Sequence, residues 1–210
     1  MFYYIVRAIA WLLIKIFWEF EVKGKENVPQ KGGLILASNH VSYLDPVVLG
    51  VSLKRKIYFI AKEEVFKNIF CHLFLSGLNA FPVNRNKTDI VAFKKAIKVL
   101  KEGNILGIFP EGTRSYDGEL KDLKTGVFKI AKKTGVPVLP VGINGTYDIY
   151  PPKRRFPIFF KYKILVNYGI PQYFSEEDIK DKDNLEKAIN LLHNQIKELS
   201  NLNINNIQID

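Results

Sequence analysis

Leu34-Ile35-Leu36-Ala37-Ser38-Asn39-His40-Val41-Ser42-Tyr43-Leu44-Asp45-Pro46, residues 34–46, is the stretch on which the fold turns. Its four leading apolar residues read as a strand without a polar side, which requires cover on both faces. Pro46 suits the first turn of a helix, and Asp45 before it is placed to act as the N-cap. His40 is thereby set at the carboxyl end of a strand, where open α/β sheets face their ligand crevice. A carboxylate accepting from one imidazole nitrogen fixes the tautomer and leaves the other nitrogen to take a proton from a substrate hydroxyl. By itself the five-residue spacing also admits a plainer reading, with Asp45 only capping a helix and His40 a satisfied loop histidine.

Outward from this stretch the chain alternates strand and helix. Glu21 to Lys25, Gly33 to Ser38, Ile57 to Ala61, Ala80 to Val83, Ile105 to Phe109, Val136 to Val141 and Lys161 to Tyr168 read as strands. Several are too continuously apolar for a sheet with one wet face. Helical spacing marks Thr88 to Glu102, with Thr88 as cap and Gly103 as stop, then Thr125 to Thr134 ending at Gly135, and Glu176 to Leu199 with Ser175 as cap. The expectation is an α/β fold, a mixed and mostly buried sheet covered by helices.

Phe2 to Phe20 is dominated by Ile, Leu, Phe, Tyr and Trp and interrupted by Arg7, Lys15 and Glu19. As a helix it would reach roughly 28 Å, near the hydrocarbon thickness of a bilayer. Arg7, Trp11, Lys15 and Glu19 follow at four-residue steps and share one stripe, a pattern suited to lying in a membrane interface or to packing on a core. Trp18, Glu19 and Phe20 stand where a cleavage site would need small residues, so a cleaved signal peptide is not expected. Residues 1–20 are thus read as an N-terminal membrane-associating helix, 21–200 as one folded domain and 201–210 as a disordered tail.

Lys and Arg number 31 against 21 Asp and Glu, a net charge of +10 that favours phosphate-bearing partners or an anionic surface. Aromatic residues concentrate in membrane-like segments and no nucleic-acid motif is present, so nucleic acid is not an expected partner. The basic, aromatic run Pro151 to Lys163 reads as a second membrane contact or as a loop with a solvated basic rim. Cys71, the single cysteine, fits a reducing compartment and reads as a small buried residue in the apolar run Ile69 to Leu75. No Cys/His spacing suggests a metal, and no cofactor is expected.

Two more strand exits carry polar groups. The strand Ile105 to Phe109 ends in Pro110-Glu111-Gly112-Thr113-Arg114-Ser115, where Gly112 leaves backbone N–H groups open to an anion and Arg114 offers a fork for phosphate oxygens. Glu111 would position such a donor or accept from a substrate hydroxyl; a solvated Glu/Arg turn is the plainer alternative. Arg85 after Ala80 to Val83, and Lys62 after Ile57 to Ala61, are surface cations unless the sheet gathers them at one edge.

Taken together, Asn39-His40-Val41-Ser42-Tyr43-Leu44-Asp45, Phe81-Pro82-Val83-Asn84-Arg85, Phe109-Pro110-Glu111-Gly112-Thr113-Arg114-Ser115 and Val136-Pro137-Val138-Leu139-Pro140-Val141 resemble, in order, the four blocks of the 1-acylglycerol-3-phosphate acyltransferase (PlsC-like) family. The resemblance spans roughly Val22 to Tyr147. It implies a glycerol-phosphate acyltransferase-like fold, with residues 21–200 as the acyltransferase domain. It also implies catalysis by His40 and Asp45, with Arg85, Glu111, Gly112, Thr113 and Arg114 in an acceptor-phosphate site and Lys62 as a further family lysine. The partners so implied are a lysophosphatidic acid acceptor, an acyl-CoA or acyl-carrier protein donor, and a membrane, with the active site on the cytoplasmic side. Glycerol 3-phosphate or another lysophospholipid as acceptor, and a non-catalytic lipid-binding protein, are the alternatives. No GxSxG elbow is present, and an acceptor hydroxyl makes a protein nucleophile unnecessary.

Overall fold

The computed structural model describes residues 1–84 and 89–201, so the expected cap Thr88, Arg85 and most of the expected tail lie outside the described residues. Seven strands form one sheet in the order β1-β7-β6-β2-β5-β3-β4: β1 (Glu19–Lys23), β2 (Leu34–Ser38), β3 (Ile57–Lys62), β4 (Ala80–Val83), β5 (Ile105–Ile108), β6 (Val138–Asn144) and β7 (Lys163–Tyr168). β2 to β6 run in one direction, while β7 pairs antiparallel with β6 and carries β1 parallel to itself. The sheet is mixed, as its sequence suggests.

Alternation along β2 divides the core. Leu34 and Leu36 face a cluster completed by α1 (Phe2–Phe17) and α2 (Asp45–Ser52), whereas Ile35 and Ala37 face α4 (Ile90–Lys101), α5 (Gly126–Thr134) and α7 (Lys182–Asn201). All five residues of β2 are buried, because both faces of the strand are covered. Pro140 sits inside β6 without breaking it. Its carbonyl accepts from Gly169 just past the end of β7, and its nitrogen points toward that same side, so the missing donor falls where β7 ends and the ladder to β2 loses no bond.

Several boundaries move. β1 begins at Glu19, which takes that residue out of the helical stripe expected to join it to Arg7. Asp89 caps α4, its carboxylate accepting from the N–H of Ala92. The last helical segment is split: Ser175 and Asp178 bond each other around a 3-10 turn at Glu177–Ile179, and Asp181 accepts from Asn184 where α7 begins. Residues 69–77 form α3 (Ile69–Gly77), capped by Asn68, and Cys71 on it is exposed rather than buried. The apolar run predicts an interior position, but α3 lies against the edge strand β4, and apart from Phe2 at its end its outer face is exposed.

Gly142 is a point of close approach between a helix and the sheet. A Cβ there would stand 2.1 Å from the backbone carbon of Leu199 on α7. Gly142→Ala is expected to lower the unfolding free energy by about 1–3 kcal/mol through overpacking. An unchanged urea midpoint would show that α7 does not press on β6 at this point.

Candidate active site

The loop leaving β2 is folded around one carboxylate. Asp45 is fully buried, and its Oδ2 lies 2.8 Å from Nδ1 of His40 while accepting from the N–H groups of Val41 (2.8 Å) and Ser42 (2.7 Å). Its Oδ1 accepts from the hydroxyl of Thr146 at 2.7 Å, on α6 (Thr146–Ile149). The expected helix cap is thus corrected. Leu44 is the N-cap of α2, and Asp45, as the first helical residue, turns its carboxylate back onto the loop. With Asp45 ionised, Nδ1 of His40 carries the hydrogen, which leaves Nε2 as the acceptor. Nε2 has no hydrogen-bond partner among the described residues.

The imidazole lies flat on Phe109, with ring centroids 3.9 Å apart and planes 17° from parallel. Its backbone is held from both sides: the N–H of His40 donates to Oε1 of Glu111 at 2.7 Å, and its carbonyl accepts from Ser115 at 2.7 Å. Asn39 adds a reciprocal pair with Ile143 on β6, donating at 2.9 Å and accepting at 2.8 Å. Ser42 donates to the carbonyl of Tyr150 at 2.6 Å.

Glu111 is buried, and its second oxygen accepts from the N–H of Lys121 at 3.0 Å. Burial in a poorly solvated site pushes its pKa up to about 7, against the lowering effect of those two backbone donors. Gly112 adopts a left-handed φ of 72°, and a Cβ at this position would lie 2.9 Å from Nζ of Lys124. Thr113 is exposed. The Arg114 guanidinium sits 3.6 Å from the centre of the Tyr43 ring, and its buried Nη1 has no partner among the described residues. Lys62 ends β3, two strands from β2 and so about 10 Å to the side, with its ammonium 2.8 Å from Glu64.

The strand order thus brings His40, Asp45, Glu111, Gly112 and Arg114 to one edge of the sheet, with Lys62 at its flank. On the α4/α5 side a cavity of about 630 Å³ opens beside them, lined by Ile60, Phe93, Phe109, Gly112, Lys124 and Val127 among others. Thr146, Phe109 and Lys124 are contributors that the spacing of motifs did not single out. Apolar patterning marks Phe109 only as the end of a strand, and the strand itself stops at Ile108. Thr146 lies 101 residues from Asp45, and only the pairing of β6 with β2 brings them together.

The chain is 35% identical over 183 residues to the 1-acyl-sn-glycerol-3-phosphate acyltransferase of Bacillus subtilis (strain 168), covering 86% of this chain and 88% of that one. A family profile described as Acyltransferase matches residues 19–144. The chain belongs to the 1-acylglycerol-3-phosphate acyltransferase family. Among other members, the 1-acyl-sn-glycerol-3-phosphate acyltransferase of Borreliella burgdorferi is 32% identical over 179 residues, covering 84% of this chain and 66% of that one. The crystal structure of the 1-acyl-sn-glycerophosphate (LPA) acyltransferase PlsC from Thermotoga maritima superimposes with a TM-score of 0.72 at 31% identity, over 93% of this chain and 80% of that one. The mixed sheet with its helical layers is therefore the acyltransferase fold, and this chain is an acyltransferase.

The Glu111 carboxyl gives the fold a pH signature. Its folded pKa is raised from 4.5 to about 7, so between these values the folded state binds more protons than the unfolded one, and stability falls as pH rises through the window. In urea unfolding at pH 5, 6 and 7, the wild type should lose stability relative to Glu111→Gln by up to about 1.4 kcal/mol per pH unit. Parallel pH curves for the two proteins would refute this account of Glu111.

Proposed function

We propose that the chain transfers a fatty acyl group from the thioester of acyl-CoA or acyl-carrier protein to the sn-2 hydroxyl of a 1-acylglycerol 3-phosphate, giving phosphatidic acid. The observation that carries this reading is the His40 ring, held through Nδ1 on a buried carboxylate, with Nε2 left without a partner among the described residues. Nε2 takes the proton of the acceptor hydroxyl as its oxygen attacks the thioester carbonyl. The C–S bond then breaks, and the departing thiolate takes that proton back from the imidazolium. An ester and a free thiol result, with no acyl-enzyme intermediate.

Asp45 stabilises the transient imidazolium and holds its tautomer. The acceptor phosphate is drawn to Arg114, whose buried Nη1 finds no acceptor among the described residues, and to Arg85, with Gly112, Thr113 and Lys62 bordering the site. Glu111 acts by fixing the His40 backbone, since both of its oxygens already accept from N–H groups. The apolar cavity beside Phe109 suits an acyl chain.

The same reading seats the protein on a membrane, with its site on the cytoplasmic side, a reducing compartment suited to the unpaired Cys71. None of the described helices is long and apolar enough to cross a bilayer. α1 would instead lie in the interface: Ile5, Ile9, Leu12 and Ile16 form an exposed apolar face. Its polar Arg7 turns inward to the carbonyls of Leu53 and Lys54. Phe159 and Phe160, of the run Pro151 to Lys163, pack against Phe17 at its far end.

Purified protein with lysophosphatidate and each thioester donor should form phosphatidate. His40→Ala should reduce kcat about 10²- to 10⁴-fold while the KM for the acceptor changes little. Transfer at near wild-type rate by His40→Ala would overturn the assignment.

A further inference from the structure

α3 has no fully buried residue, and Ile69, Phe70, Leu73 and Phe74 are 62%, 78%, 63% and 49% exposed. Their spacing sets them on one helix face. A contiguous apolar patch of this kind marks a surface that meets a partner. It does not stand alone: the Phe74 ring meets the Phe2 ring of α1 edge-on, with centroids 6.0 Å apart. Gly77 makes room for that contact, because a Cβ there would sit 2.7 Å from the Phe2 ring. The outer faces of α1 and α3 are thus joined into one apolar surface.

The charges around that surface select its occupant. α1 and α3 carry no Asp or Glu, and with Arg7 turned inward the formal charge exposed on them is Lys15. Lys56 lies 5.2 Å from the Tyr4 ring centre at the same end, exposed Lys67 precedes α3, and of the two glutamates in the turn before it Glu64 is paired with Lys62 and Glu63 accepts from Asn84. A second copy docked by a two-fold axis would set like charges against each other, whereas an anionic lipid surface complements them. At about 1.5 Å per residue, α3 is far too short to span a bilayer and suits burial along its plane.

We propose that α3 is a second lipid-seated helix, continuous with α1 through the Phe2–Phe74 contact, and that the surface it covers is an anionic bilayer. The inference rests on the membrane attachment read above and extends it to the opposite edge of the sheet. Because α3 joins the exit of β3 to the start of β4, seating it on lipid brings the flank that carries Lys62 toward the bilayer.

The test is co-sedimentation of the full-length chain with phosphatidylglycerol/phosphatidylcholine vesicles, comparing wild type, Phe70→Ser with Leu73→Ser on α3, and Ile9→Ser with Leu12→Ser on α1. The α3 variant should bind at least tenfold more weakly than wild type, at an unchanged thermal midpoint, since both altered side chains are exposed. Undiminished binding by the α3 variant beside weakened binding by the α1 variant would overturn this inference and leave the attachment through α1 standing. Failure of the wild type to bind vesicles would overturn both. Light scattering completes the set: an α3 variant that turns a dimer into a monomer without loss of vesicle binding would assign the face to a second copy and overturn the proposal.

Discussion

A carboxylate removed from water must have its lone pairs filled, and Asp45 meets this requirement with donors from three separate places: the imidazole of His40, two backbone N–H groups of its own loop, and a hydroxyl from α6. Hydrogen bonds to an ionised group are the stronger kind, and a buried charge that loses them bears the full desolvation penalty. The loop between β2 and α2 is therefore tied down from three sides. The neighbouring strands repeat the constraint from outside, with Asn39 tied to β6 and the His40 backbone tied to the loop after β5. Even Pro140 fits this scheme, since β6 keeps its course beside β2 where a proline would be expected to interrupt it.

The same arrangement sets two carboxyl groups to different work. Asp45 is surrounded by donors. Glu111 has two donors but lies in a site where burial outweighs them, and the negative charge of Asp45 pushes its pKa in the same upward direction. One carboxyl thus faces the imidazole directly, while the other holds the backbone that carries it.

What could be read in the sequence follows from the range of the forces involved. The β2 strand and its polar exit were legible because two-residue alternation and the loss of apolar character are local. The gathering of His40, Glu111, Gly112 and Arg114 at one edge was legible once the strands were taken as parallel neighbours, and β2, β5 and β3 are such neighbours. Thr146 was not, since its place depends on a strand pairing across the chain. The Cys71 segment differs because an apolar run states an appetite for burial without naming what does the burying; at the β4 edge no layer of the described residues does. The division of residues 175–182 into a turn and a helix depended on side-chain bonds of Asp178 and Asp181 that periodicity does not register. Arg85 belongs to the four-residue stretch outside the described structure.

Phe109 bears on the order of events in the proposed transfer. With an aromatic plane beneath it and a carboxylate behind it, the imidazole is held with Nδ1 on Asp45, and in the proposed transfer a single nitrogen serves both arrivals and departures. The oxygen that surrenders a proton and the sulfur that receives one have to share the neighbourhood of that atom. Under that proposal acceptor and donor are present together at the open edge of the ring, and the site would work as a meeting place for two substrates, with no need to store the acyl group between visits.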